Sequence, residues 1–100
     1  MIKVNVIGKN DKIEILGHAM YDDFGKDIVC AGVSSIVITT VNAIIIFDKD
    51  YIKYEIKDDY FLVDVIKHDN IVDKLITNMI NMLKDIENDY PKNIKIGKEN

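Results

Sequence analysis

The sequence has no arginine and no tryptophan, and only one proline and one cysteine among its 100 residues. A single cysteine excludes an intramolecular disulfide and is typical of a reducing compartment, so we expect a cytoplasmic protein. The lack of arginine removes the side chain that makes bidentate contacts with guanine and phosphate. The net charge is −4, and we therefore expect no direct contact with nucleic acid.

Hydrophobic residues make up 48% of the chain and charged residues 30%. This balance supports a modest hydrophobic core, and the length corresponds to one domain, so we predict a single domain over residues 1–100. The N-terminus shows no charged segment followed by an apolar run, and no secretory signal is predicted.

Residues 28–47 form an uncharged run that is long enough to cross a bilayer. The run contains several small polar residues and lies between Asp27 and Asp48, two acidic flanks. A helix buried within a small sheet domain would have the same composition. We interpret the run as a core helix and expect no membrane partner.

Alternation of apolar and polar residues predicts two β-hairpins, one before and one after the uncharged run. A short strand is also predicted near the C-terminus. The predicted strands are residues 2–7, 12–16, 51–56, 60–66 and 93–96.

Two helices complete the predicted fold. The first covers residues 28–45, with Asp27 as its N-cap, and the second begins at Asp69 or Asn70 and ends before Pro91. The resulting order is ββαββα(β), an α+β fold in which the sheet packs around the first helix and the second helix is amphipathic. Residues 17–26 are predicted to be a mobile loop, and loops of this length are often functional.

The chemistry that the residues suggest centres on Cys30. With Asp27 as N-cap, Cys30 falls in the first turn, where unpaired backbone N–H groups and the helix dipole favour a thiolate. His18 lies twelve residues upstream, and a thiol with an imidazole is the minimum for nucleophilic acyl transfer. The alternative is that Cys30 only packs in the core and His18 is a surface residue. Ser34, one turn after Cys30, either faces the same cleft or bonds back into its helix.

Metal and cofactor sites are not predicted. The single cysteine and the two histidines, His18 and His68, are too widely spaced for a zinc site, and no glycine-rich phosphate loop occurs. His68 is interpreted as a solvated turn residue.

A motif spanning the predicted loop and the helix start resembles the ribosomal-processing cysteine protease Prp family, also called the YsxB-like family. The motif consists of Gly17-His18-Ala19, then Tyr21 and Gly25, then DIVCAGVS at residues 27–34.

The resemblance implies a bacterial cysteine endopeptidase that needs no metal and forms homodimers. Family members remove an N-terminal extension from the precursor of the large-subunit ribosomal protein L-twenty-seven, a step in ribosome maturation. By position, Cys30 is then the nucleophile and His18 the general base. Two residues have supporting roles: Asp27, which caps the helix or orients His18, and Ser34.

The loop between His18 and Cys30 is expected to move over the substrate. Met20, Tyr21 and Phe24 are available to line an apolar groove for the substrate, and the loop has a glycine near each end, Gly17 and Gly25. Two other functions stay open. One is a non-catalytic ribosome-associated binding module, and the other is a thiol-redox sensor, which is disfavoured because no second cysteine is present to resolve an oxidised Cys30.

Overall fold

A computed structural model describes the chain at residues 1–17, 24–57 and 59–100, without the side chains of residues 24–27. The elements in chain order are β1 (Ile2–Ile7), β2 (Lys12–Leu16), α1 (Phe24–Asp48), a 3₁₀ turn (Lys49–Tyr51), β3 (Ile52–Lys57), β4 (Tyr60–Val65), α2 (Asn70–Asp89) and β5 (Ile94–Glu99). The predicted α+β class and element order are confirmed.

The five strands form one sheet with the order β3-β4-β2-β1-β5. Neighbouring strands are antiparallel except β1 and β5, which are parallel. Alternation puts Val4 and Val6 on the buried face and Lys3 on the exposed face, and the register continues the buried row into β2, where Val6 pairs with Ile13. One face of the sheet therefore carries the core, and both helices contribute to that same core.

A stripe of valines attaches α1 to the core. It consists of Val29, Val33, Val37 and Val41, all almost fully buried. Residues four apart lie on one side of a helix, so a valine at each of these positions makes a continuous apolar strip. Valine has a lower helix propensity than alanine by less than about 1 kcal/mol per residue, and burial of the strip outweighs that cost. Helix α2 also approaches closely, because a Cβ on Gly32 would lie 3.3 Å from Cδ1 of Ile86.

The opposite side of α1 is uncharged and exposed. Ile28 is 60%, Ile38 38% and Ile46 86% exposed. By length and composition Ile28–Tyr51 could cross a membrane, and 33% of its apolar window is buried. Instead of surrounding α1, the sheet covers one side of it, because all five strands belong to a single sheet.

Helix α1 begins one turn earlier than predicted. Asp27 is its fourth residue, so the predicted N-cap is wrong, since a capping residue lies outside the helix with a non-helical backbone. Phe24 and Gly25, predicted to be loop residues, are helical as well. The uncharged run begins at Ile28, whereas the helix itself begins four residues earlier.

The start of α2 follows the prediction. Asp69 has an extended backbone, and its Oδ1 accepts a hydrogen bond from the Val72 N–H at 2.8 Å. This N-cap satisfies a backbone donor that would otherwise lack a helical partner. The buried side of α2 consists of Val72, Ile76, Met79, Ile80 and Leu83.

His68 is exposed between β4 and α2, as predicted, and it also contacts two carboxylates that the sequence did not indicate. Its Nδ1 lies 2.6 Å from Asp73 Oδ1 on α2, and its Nε2 lies 2.8 Å from Asp11 Oδ1 in the turn between β1 and β2. A neutral imidazole donates from one nitrogen only, so both carboxylates are satisfied when the ring is protonated. The hydrogen bond with Asp73, supported by that with Asp11, raises the pKa of His68 against an opposing effect of burial.

We predict that His68 stabilises the fold in a pH-dependent way. Because its pKa is higher in the folded protein, its contribution is complete below about pH 6.5 and is lost as the pH rises through the folded-state value. Urea unfolding of the wild type and His68→Gln between about pH 5.5 and 8.5 should show the larger difference in unfolding free energy at low pH. A difference that does not vary with pH would contradict this assignment.

Candidate active site

Cys30 is half-buried on α1 and lies beside the buried valines. It opens into a small cavity of about 80 Å³ at the end of the sheet where β2 ends. The cavity is lined by Ile2, Ile15, Gly17, Cys30, Val33, Ser34, Asp59, Tyr60 and Phe61. The thiol therefore has apolar side chains such as Ile15 and Val33 near it and is still partly accessible to solvent.

Ser34 lies one helical turn after Cys30 and lines the same cavity. Residues four apart share a side of the helix, so the hydroxyl and the thiol are presented in the same direction. Of the two interpretations of Ser34, the structure places it in the cleft with Cys30.

Gly17 closes the cavity at the end of β2. Its N–H donates to the Asp59 carbonyl at 2.9 Å, and its φ of 86° is in the left-handed region that favours glycine. A Cβ at this position would lie 2.8 Å from the carbonyl oxygen of Met1, so any larger residue displaces the backbone. The chain is thus held at the cavity at the residue directly before His18.

Several predicted site residues fall outside the described part of the chain. These are His18, Met20 and Tyr21 entirely, and the side chains of Phe24 and Asp27; Gly25 is described by its helical backbone. The helix start excludes Asp27 as the N-cap. The pairing of His18 with Cys30 and the orientation of His18 by Asp27 stay predictions.

The helix start also changes the chemistry expected of Cys30. Cys30 is the seventh residue of α1, not one of the first three. Only the first four N–H groups of a helix lack helical partners, and the effect of the dipole is confined to the first turn. The predicted stabilisation of a thiolate by the helix N-terminus is therefore wrong, and activation of Cys30 requires another group, such as a neighbouring base.

Sequence reasoning missed the residues that the two hairpins bring to the cavity. Leu16 pairs with Tyr60 and Ile15 with Phe61, so the end of β2 and the start of β4 meet beside α1. No feature of the sequence indicated that β2 pairs with β4, because alternation within a strand does not specify its neighbour. Tyr60 donates its hydroxyl hydrogen to Oε2 of Glu14 at 3.2 Å, and burial together with that carboxylate raises the pKa of Tyr60.

The described polar side chains at the Cys30 cavity are Ser34, Asp59 and Tyr60. Asp59, on the turn between β3 and β4, is the charged residue among those described at the cavity, and it is exposed. Within the described residues no group of three or more His, Cys, Asp or Glu side chains is arranged to hold a metal ion. The arrangement suits a reaction in which a single nucleophile, Cys30, attacks an extended peptide chain that reaches the cavity.

Comparison with known proteins agrees with this picture along almost the whole chain. A family model described as cysteine protease Prp matches residues 1–95. The ribosomal processing cysteine protease Prp of Staphylococcus aureus is 35% identical over 99 residues, which cover 96% of this chain and 93% of the relative. The protein of the same name from Bacillus subtilis is 32% identical over 107 residues, covering 96% of each.

Solved structures show the same fold. The crystal structure of the S. aureus protease in complex with a substrate peptide matches with a TM-score of 0.88 and 28% identity, over 98% of this chain and 99% of the other. The complex of that protease with a covalently linked product peptide matches with a TM-score of 0.87 over the same shares of the two chains. Since the family model, the relatives and the fold all agree over more than nine-tenths of its length, this chain belongs to the cysteine protease Prp family, whose members hydrolyse peptide bonds.

Proposed function

We propose that this chain is a cytoplasmic endopeptidase that removes the N-terminal extension from the precursor of ribosomal protein L-twenty-seven. The observation that carries the proposal is the cavity shared by Cys30 and Ser34 at the point where β2 leads into His18. The relatives support it, because they are named ribosomal processing proteases and one is solved with a substrate peptide.

In the proposed reaction, His18 takes the proton of the Cys30 thiol. The thiolate sulfur attacks the scissile carbonyl carbon, and the C=O electron pair moves onto oxygen. The C–N bond then breaks as His18 returns the proton to the leaving amine. Water, deprotonated by His18, hydrolyses the thioester and frees the extension with a new carboxylate. Because Cys30 lies beyond the first turn of α1, the imidazole is the activating group that this mechanism depends on.

Ser34 is the proposed donor to the oxyanion. The helix N–H groups near Cys30 are committed to the helical ladder, since Cys30 lies beyond the first four residues. The Tyr60 hydroxyl donates to Glu14. Among the described side chains that line the cavity, the Ser34 hydroxyl is then the remaining donor next to the thiol.

The segment before α1 supplies the proposed substrate groove. Met20, Tyr21 and Phe24 would contact apolar residues of the extension, with Gly17 and Gly25 at the two ends of the segment. The support for this part is the sequence composition together with the anchoring of Gly17 at the cavity.

The first test uses the wild type, Cys30→Ala and His18→Gln with the host's full-length ribosomal protein precursor. We expect a single N-terminal cut by the wild type, none by Cys30→Ala, and a rate reduced about 10²–10⁴-fold in His18→Gln, because general base catalysis contributes that much. Intact mass spectrometry identifies the products.

Two results would contradict this assignment. Cutting by Cys30→Ala would remove Cys30 from the mechanism. Binding of the precursor by both the wild type and Cys30→Ala, with no cut by either, would favour the non-catalytic binding module.

For Ser34, we expect Ser34→Ala to lower kcat about 10²–10³-fold with little change in KM, because the oxyanion exists only during the reaction. Ser35→Ala is the matched control, since Ser35 is the next residue and its side chain is exposed. Equal activities for the two variants would assign Ser34 to packing.

We also propose that the enzyme is a homodimer that uses the exposed, uncharged side of α1. This side presents Ile38 and Ile46 without a charged neighbour between Ile28 and Phe47.

Ile38→Lys should give a monomer by light scattering after size exclusion, because a lysine would be desolvated at the interface. Met82→Lys, at an exposed methionine on α2, should stay dimeric. A monomeric wild type, or dissociation by both substitutions, would contradict the proposed surface.

A further inference from the structure

A second cavity lies between α2 and the C-terminal half of β5, away from Cys30. It has a volume of about 240 Å³ and is bordered by Val6 near the end of β1, whereas the Cys30 cavity is bordered by Ile2 at the start of that strand. Four residues of strand separate these two positions by about 13 Å. We refer to this cavity as the α2–β5 groove.

The α2–β5 groove combines an apolar floor with a polar wall. Ile80 and Ile96 belong to the floor, and Ile80 is only 7% exposed. The wall carries Thr77, Asn81 and Lys84, which follow one side of α2 at intervals of three and four residues. Lys98 faces them from β5. The groove therefore offers hydrogen-bond donors and two ammonium groups above an aliphatic surface.

Neither lysine of the groove is ion-paired within the described part of the chain. Among the residues that the structure describes, no carboxylate lies within ion-pair distance of Lys84 or Lys98. Among the described residues that line the groove none is acidic, so its local charge is opposite in sign to that of the whole protein.

The nearest carboxylates on the same side of α2 are already engaged. Asp73, one turn before Thr77, accepts from His68 at 2.6 Å. Glu87, three residues after Lys84, accepts the N–H of Ile96 on β5 at 2.8 Å. Both acids are thus held away from the lysines by other partners, which leaves the two ammonium groups available to a ligand.

We propose that the α2–β5 groove binds a small organic carboxylate with a compact aliphatic group. The carboxylate lies between Lys84 and Lys98, with the Asn81 amide as a further donor. The aliphatic group covers Ile80 and Ile96, where it removes apolar surface from water. Inorganic anions match the lysines but not the floor, and neutral aliphatic molecules match the floor but not the lysines. This site does not depend on the proteolytic function.

The test titrates three probes into the ¹⁵N-labelled full chain: 3-methylbutanoate, its neutral amide, and inorganic phosphate. We expect 3-methylbutanoate to shift the amide resonances of Asn81, Lys84 and Gly97 saturably, with a dissociation constant on the order of millimolar. The neutral amide and phosphate should each bind at least about fivefold more weakly, because each lacks one of the two complementary parts.

Two double variants separate the groove from net charge. Lys84→Gln with Lys98→Gln should weaken 3-methylbutanoate binding at least about fivefold. Lys53→Gln with Lys57→Gln removes the same charge on β3, at the other edge of the sheet, and should leave binding unchanged. Equal loss in both double variants, equal binding of the neutral amide, or equal binding of phosphate would each overturn the proposal.

Discussion

The burial of the valine stripe of α1 in the core determines which side of this helix faces the Cys30 cavity. Because Val29, Val33, Val37 and Val41 are buried together, the rotation of α1 about its axis is set. Cys30 and Ser34 each follow one of these valines by one residue, which is about 100° around the helix. Both side chains are therefore turned to the same flank of the buried stripe and open into one cavity. A different apolar stripe would present different residues there.

The position of Cys30 along α1 decides which physical effects are available to the thiol. The helix begins at Phe24, so the unpaired N–H groups and the positive end of the dipole lie one turn away from Cys30. Electrostatic stabilisation of a thiolate must then come from side chains and strand ends around the cavity, because the backbone of α1 does not provide it. The groups next to the thiol are therefore those of the cavity, including Ser34 and Gly17, and not those of the helix terminus.

Polar contacts join strands and turns that are far apart in the sequence. Tyr60 and Glu14 are 46 residues apart, and His68 and Asp11 are 57 apart. The Gly17 N–H reaches the Asp59 carbonyl in the same way. Each contact links one hairpin to another element, so the turns are fixed by tertiary partners as well as by their own residues.

Local patterns in the sequence were sufficient for the elements and for the family. Period-two alternation placed β1, β2 and β4 to within a residue, because alternation reports directly which side chains face the core. The cap at Asp69 followed from its position before an amphipathic run. The motif from Gly17 to Ser34 indicated the protease family, since it specifies residue types across two elements.

Tertiary structure decided the rest. The start of α1 differed from the prediction because the helix begins before the uncharged run, and that run is all that the apolar pattern records. The order β3-β4-β2-β1-β5 depends on which strand edges pair, and alternation within a strand carries no information about its neighbour. The cavity at Cys30 arises from that pairing, which brings Tyr60 and Phe61 beside the end of β2. The sequence by itself determined the nucleophile candidate and its family, whereas only the packing of α1 on the paired hairpins determined what surrounds the thiol.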